Sequence, residues 1–175
     1  MSKITFILGG ARSGKSTYAL KLAKKHKDVA FIATGQGLDR EMKERIKLHQ
    51  KSRPRHWQTF EEAKDVALML ASMDNKFDCI VIDCLTLLVS NLLLAKDNHK
   101  TIEAKIDRML EHLRKKKGQV IIVSNEVGLG VVPANKLGRD FRDIAGRVNQ
   151  VVAEEADEVY FMVSGIASKI KERGK

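Results

Sequence analysis

Aromatic residues are scarce in this 175-residue chain, at 5%, with one tryptophan and two tyrosines. That scarcity argues against a nucleic-acid surface built from stacking platforms, which needs exposed rings in series. Cysteine is scarcer still: Cys79 and Cys84 alone, in or beside an apolar run and without metal-ligand spacing. They read as structural, reduced thiols. No run approaches the roughly 20 apolar residues needed to span a bilayer. The first residues pass straight into a strand pattern, with no leader pattern, so the expectation is a cytoplasmic protein without a transmembrane segment. There are only two prolines and no repeat, low-complexity tract or linker, so residues 1–175 read as one domain. Acidic residues are outnumbered, 22 against 32 basic ones, for a formal charge of +10. Such a charge suits nucleic acid or a polyphosphate substrate. The basic residues are dispersed over 21–27, 43–55, 114–117 and the tail, so scattered solvated faces account for them equally well.

What is present begins at Ile4. Five residues rich in β-branched and aromatic types, Ile4 to Leu8, run into G-x-x-x-x-G-K-S, which here is Gly9, Gly10, Ala11, Arg12, Ser13, Gly14, Lys15 and Ser16. Gly9 and Gly14 permit backbone conformations that turn successive N–H groups inward toward phosphate oxygens. Lys15 brings positive charge to the β- and γ-phosphates, and the Ser16 hydroxyl is a ligand for Mg²⁺. Ala19, Leu22 and Ala23 give the following segment helical spacing, which points a helix N-terminus at the anion. A strand before the motif and a helix after it are the context that separates a phosphate loop from a chance match. The chain is read as binding a nucleoside triphosphate.

Strand and helix patterns then alternate. Strands are expected at 29–33, 79–82, 120–123 and, closing the sheet, 159–163, with a basic tail after it. Helices are expected at 38–50, 61–73, 85–95, 102–117 and 139–155, and Pro54 breaks the chain between 51 and 60. Alternation of this kind makes a mostly parallel sheet with helices on both faces and ligands at the carboxyl ends of the strands. The loops at 9–16, 34–37, 83–84 and 124–128 all fall at such ends and should meet in one crevice.

Asp83 closes the apolar run Ile80-Val81-Ile82, where a P-loop enzyme keeps the acid that holds Mg²⁺; a helix cap is the plainer reading. Glu126, after the next strand, is either a second acid near the γ-phosphate or a loop carboxylate paired with an arginine. His49 stands at the edge of an apolar stripe with Met42 and Ile46, amid Arg45, Lys51, Arg53 and Arg55. A packed core histidine is one reading. The other is a nucleophile on phosphorus, because an imidazole is largely neutral at pH 7 and cations stabilise charge on the transferring group. His56 is the weaker rival.

Taken together, these stretches resemble one family over nearly the whole length: the bifunctional adenosylcobinamide kinase/adenosylcobinamide-phosphate guanylyltransferases of cobalamin biosynthesis. The matching segments are Gly9–Ser16, Ile32-Ala-Thr-Gly-Gln36, Arg45-Ile-x-x-His49, Arg53-Pro54-x-x-Trp57-x-Thr59-x-Glu61, Asp83-Cys-Leu-Thr86 with Ser90-Asn91-Leu92-Leu93, and Ser124-Asn-Glu-Val-Gly128 through Pro133 to Phe141–Gln150. The resemblance implies a RecA-like P-loop fold and two reactions. ATP or GTP phosphorylates adenosylcobinamide, and GTP then transfers GMP, through a phosphoramidate on His49, to adenosylcobinamide phosphate. It further implies that Thr34, Gly35, Gln36, Gln50, Lys51, Ser52, Arg53, Glu61 and Asp83 join residues 9–16 at the nucleotide, that Mg²⁺ is the metal, and that copies of the chain associate, as trimers in some members. Gln50 and Ala63 depart from the arginine and proline frequent in such proteins. A small-molecule kinase with a structural His49 and a RecA-like ATPase acting on nucleic acid are the competing readings.

Overall fold

The structure, a computed structural model, describes residues 1–173; residues 174–175 and the side chain of Arg45 lie outside the described residues. The elements run β1 (Lys3–Gly9), α1 (Lys15–Ala23), β2 (Val29–Ala33), α2 (Arg40–Lys51), β3 (Gln58–Glu61), α3 (Val66–Ser72), β4 (Cys79–Asp83), α4 (Leu85–Leu94), α5 (His99–Lys115), β5 (Gln119–Val123), α6 (Lys136–Glu155), β6 (Glu158–Val163) and β7 (Ile166–Glu172). They build one seven-stranded sheet in the order β3-β2-β4-β5-β1-β6-β7. All pairings are parallel except β6 with β7.

Strands buried on both faces have to be nearly apolar throughout, as Ile80–Ile82 is and as Ile4–Leu8 is apart from Thr5, whose hydroxyl accepts from Gln119 Nε2. Ile4, Phe6, Leu8, Ile80 and Ile82 face one core, which α3, α4, α5 and α6 cover through Leu70, Leu88, Ile106 and Val148. Ile7, Phe31, Val81, Ile121 and Val123 face the other, closed by Ala19 and Ala23 of α1 and by Trp57. Cys79 and Cys84 are buried and unpaired, and burial pushes both thiols up to about 12, so they are inert.

Two segments depart from the expected pattern. A strand, β3, occupies residues 58–61, and the helix expected from Glu61 begins only at Val66, where Asp65 caps it by accepting from Leu68 N. Q-T-F-E is too short to display its alternation, and β3 is an edge strand with little to bury. Leu68, read as one of the mostly buried positions of that helix, is exposed. The expected basic tail is mostly β7. Ser164 and Gly165 both take positive φ, forming the two-residue turn that suits a hairpin, and the lysines of β7 guard an exposed edge.

Candidate functional site

The sheet brings four strand ends together. Val123 of β5 lies opposite both Ile7 of β1 and Asp83 of β4, and Asp83 lies opposite Ala33 of β2. Beyond those ends opens a cavity of about 620 Å³, lined by Arg12 to Thr17, Ala33, Gly35, Asp83, Cys84, Val123 and Asn125 from the sheet side. Helix α2 closes it with Glu41, Met42, Glu44, Ile46, Leu48 and His49, and Arg53, Glu61 and Leu87 complete the wall.

The loop after β1 has the geometry that its glycines permit. Gly9 has φ 153°, and a Cβ there would stand 2.5 Å from the carbonyl oxygen of Met162. Gly14, φ 94°, caps α1 in the left-handed region. Lys15 Nζ donates to Gly10 O at 2.5 Å and approaches Ser13 Oγ at 3.5 Å, so the side chain lies along its own loop. The β6–β7 turn supports the loop from outside, Gly165 N donating to Ser13 O at 3.0 Å. Ser16, the second residue of α1, shares the cavity with Asp83.

His49 is half-buried on α2 and lines this same cavity. Arg53 reaches in beside it. Its guanidinium lies 3.8 Å over the Phe31 ring, while Nε and Nη1 are buried with no hydrogen-bond partner among the described residues. Burial lowers its pKa, and the charges of Asp83 and Glu61 work the other way. The ring of cations expected around His49 is smaller than its sequence neighbours implied: Lys51, Arg55 and His56 are exposed and not on the cavity wall, and the Arg45 side chain lies outside the described residues. Two acids, Glu41 and Glu44, stand on that wall instead.

Other expected nucleotide contacts take different positions. Thr34 is fully buried; its hydroxyl donates to Cys84 O at 2.7 Å and accepts from Cys84 N at 2.8 Å, fastening β2 to the turn after Asp83. Gln36 and Gln50 line a neighbouring recess of about 520 Å³, which shares Ala33, Gly35, Ile46 and Glu61 with the main cavity, and Gln50 Nε2 donates to Glu61. Ser52 caps α2 and donates to His49 O. Gly9, Gly10 and Ala11 form the loop behind the cavity rather than its lining. Glu126 turns its carboxylate onto Gly128 N at 2.7 Å, is not on the cavity wall and, among the described residues, pairs with no arginine. Asn125, Glu41 and Glu44 are polar lining residues that the sequence reading did not single out, although Asn125 lies in the 124–128 loop expected at the crevice.

The described residues contain no group of three or more His, Cys, Asp or Glu side chains able to hold a metal, and no helix long and apolar enough to cross a membrane.

Comparison with known proteins agrees with this geometry. In fold, the chain is similar to the RadB recombinase (TM-score 0.54, 18% identity, 91% of this chain and 73% of that one). It is also similar to a KaiC-like protein from Pyrococcus horikoshii OT3 (TM-score 0.52, 13% identity, 91% and 70%). That likeness is one of RecA-like architecture alone. In sequence, it is 40% identical to the bifunctional adenosylcobalamin biosynthesis protein CobU of Escherichia coli (strain K12) and 41% to that of Salmonella typhimurium, each over 94% of this chain and 98% of the relative. It is 44% identical to CobP of Pseudomonas aeruginosa over 94% of this chain and 95% of the relative. Residues 5–170 match the family described as cobinamide kinase / cobinamide phosphate guanyltransferase, and the chain belongs to that family.

Proposed function

We propose that both reactions of the family run in the one cavity, with His49 as the nucleotidyl carrier. The observation that supports this most is that His49, Lys15, Ser16 and Asp83 all line the same space. In the first reaction, the hydroxyl of adenosylcobinamide attacks the γ-phosphorus of ATP or GTP held by the Gly9–Ser16 loop, and the nucleoside diphosphate leaves. In the second, a ring nitrogen of His49 attacks the α-phosphorus of GTP, an N–P bond forms, the α–β bridge breaks and pyrophosphate leaves. A phosphate oxygen of adenosylcobinamide phosphate then attacks that phosphorus, releasing the imidazole and giving adenosylcobinamide-GDP. Splitting the transfer in two is the usual benefit of a covalent intermediate.

Mg²⁺ fits the residues present. Ser16 Oγ and the Asp83 carboxylate are hard oxygen donors on one cavity wall, and Mg²⁺ is ordinarily held by one or two protein oxygens with phosphates and water completing its shell. When bound, it would neutralise charge on the triphosphate. Helix α2 suits a moving carrier: none of its described residues is fully buried, and Met42, Ile46 and His49 alone are half-buried. The reading also takes the protein as cytoplasmic, with no role for nucleic acid, and as a homo-oligomer for which a trimer suffices. Exposed Leu129, Val131 and Val132 support the association of copies.

Incubation with GTP labelled at the α-phosphate tests the carrier. Label should remain on the protein, survive base, be lost in acid and be absent from His49→Ala. A protein left unlabelled at saturating GTP and Mg²⁺ would reduce the site to that of a kinase.

A further inference from the structure

The loop after β5 is held more firmly than a loop that merely connects β5 to α6 requires. Ser124 N donates to Ile7 O and Glu126 N to Gly9 O, which ties the loop to the strand that carries the phosphate loop. Between these, Asn125 is gripped at both of its backbone groups. Its N–H donates to Thr86 Oγ1 at 2.6 Å, and its carbonyl accepts from Asn149 Nδ2 at 3.2 Å. Thr86 and Asn149 are buried, and Thr86 Oγ1 also meets the buried Ser124 Oγ at 3.1 Å. Asn149 Oδ1 has no partner among the described residues, so this buried carboxamide leaves an oxygen unpaired while keeping its bond to Asn125. The Asn125 side chain, by contrast, has no hydrogen-bond partner among the described residues, and the residue lines the cavity with Lys15, Ser16 and Asp83. A clamped backbone and an unspent carboxamide together describe a side chain held ready for a ligand.

We propose that Asn125 is a catalytic residue of the phosphoryl-transfer step, orienting the acceptor hydroxyl against the terminal phosphate, with Thr86 and Asn149 as its positioning residues. Asn125 lies past the end of β5, between the strand of the phosphate loop and the strand of Asp83, so it adjoins the far end of a triphosphate laid along α1. Its Oδ1 accepts the hydrogen bond of the attacking hydroxyl and holds that oxygen in line with the γ-phosphorus. The hydroxyl oxygen bonds to the γ-phosphorus as the β–γ bridge breaks and the diphosphate leaves. The proton passes to an oxygen of the transferred group, since a carboxamide has no basic site. Positioning is the larger part of catalysis in such a reaction. Attack by His49 on the α-phosphorus needs no acceptor hydroxyl, so the guanylyl step should be indifferent to Asn125.

The proposal rests on the single-cavity reading, and labelling of wild-type His49 is measured first, so a failure of that reading appears before any variant is made. Asn125→Ala should lower the kinase kcat about 10- to 100-fold, while the KM for nucleotide and the rate of guanylylation stay within about threefold. Asn125→Asp, of the same shape but charged against the phosphate, should lose more, and it carries the test if the alanine variant does not fold. Thr86→Val should lower kcat in the same direction, and Thr86→Ser should restore it. An Asn125→Ala enzyme with wild-type kinase kcat overturns the proposal. So does an equal fall of both reactions, which would assign the residue to the shared triphosphate site.

Discussion

Arg53 offers a test in which stability and binding move in opposite directions. Its Nε and Nη1 are buried without partners among the described residues, and each such donor costs roughly 1–3 kcal/mol. The stacking of the guanidinium on Phe31 returns about 0.5–2 kcal/mol. With no nucleotide bound, the side chain is therefore a net burden. Arg53→Met keeps an apolar stem on the Phe31 ring and removes the donors. The mid-range net is about 3 kcal/mol, so at about 2–4 °C per kcal/mol for a chain of this size the nucleotide-free melting temperature should rise by roughly 6–12 °C. Bound phosphate would supply the missing acceptors, and a hydrogen bond between charged groups is worth about 1.5–3 kcal/mol. The Kd for GTP with Mg²⁺, read by calorimetry, should therefore weaken roughly 10- to 150-fold. A variant that melts lower than the parent and binds GTP equally well would refute the reasoning, since Arg53 would then be a structural residue already satisfied.

Thr34→Val keeps the shape but removes both hydrogen bonds to Cys84, at about 2–4 kcal/mol, so the melting temperature should fall by roughly 5–15 °C; a fall under about 2 °C would contradict the buried geometry. Gly9→Ala forces a Cβ onto the Met162 backbone and should abolish both reactions while costing about 2–4 kcal/mol; full activity would mean the loop is free to move aside. Asp157 concerns acid stability. Burial works to raise its carboxyl, but the Ile4 N–H, Arg114 and Arg173 outweigh it and hold the pKa below the ordinary range. A depressed pKa contributes stability above the unfolded value of about 4, lost as pH falls through the folded one. Asp157→Asn should thus melt lower at pH 7 and lose less on acidification below about pH 4; parallel pH profiles for the two proteins would exclude the effect.

The phosphate loop, Asp83 and the meeting of four strand ends were legible because local sequence dictates them: glycines where φ must be positive, near-continuous apolar runs where strands are buried on both faces. β3 and β7 were not, because an edge strand buries little and its pattern is weak; the Ser164-Gly165 pair was the available signal for the second. His49 was legible as a neighbour of the cavity through its place on the stripe with Met42 and Ile46. Its electrostatic surroundings were not, since adjacency in sequence put Lys51 and Arg55 beside it, whereas Lys51 at the end of α2 and Arg55 in the turn after it are both exposed. Thr34 was expected at the nucleotide through the family resemblance. Its hydroxyl goes to Cys84, 50 residues away, a pairing no local pattern encodes. Asn125 was hidden beside the more conspicuous carboxylate of Glu126.

The central claim is that one triphosphate site serves both transfers, and GTP with an imido link between its β- and γ-phosphates tests it directly. That nucleotide cannot give up its γ-phosphate, but its α–β bond is intact and His49 can displace imidodiphosphate from it. The concentration that half-saturates labelling of His49 should equal its inhibition constant against the kinase reaction, within about twofold. Two constants differing by more than about tenfold, or labelling that persists while the kinase runs uninhibited, would mean two separate sites.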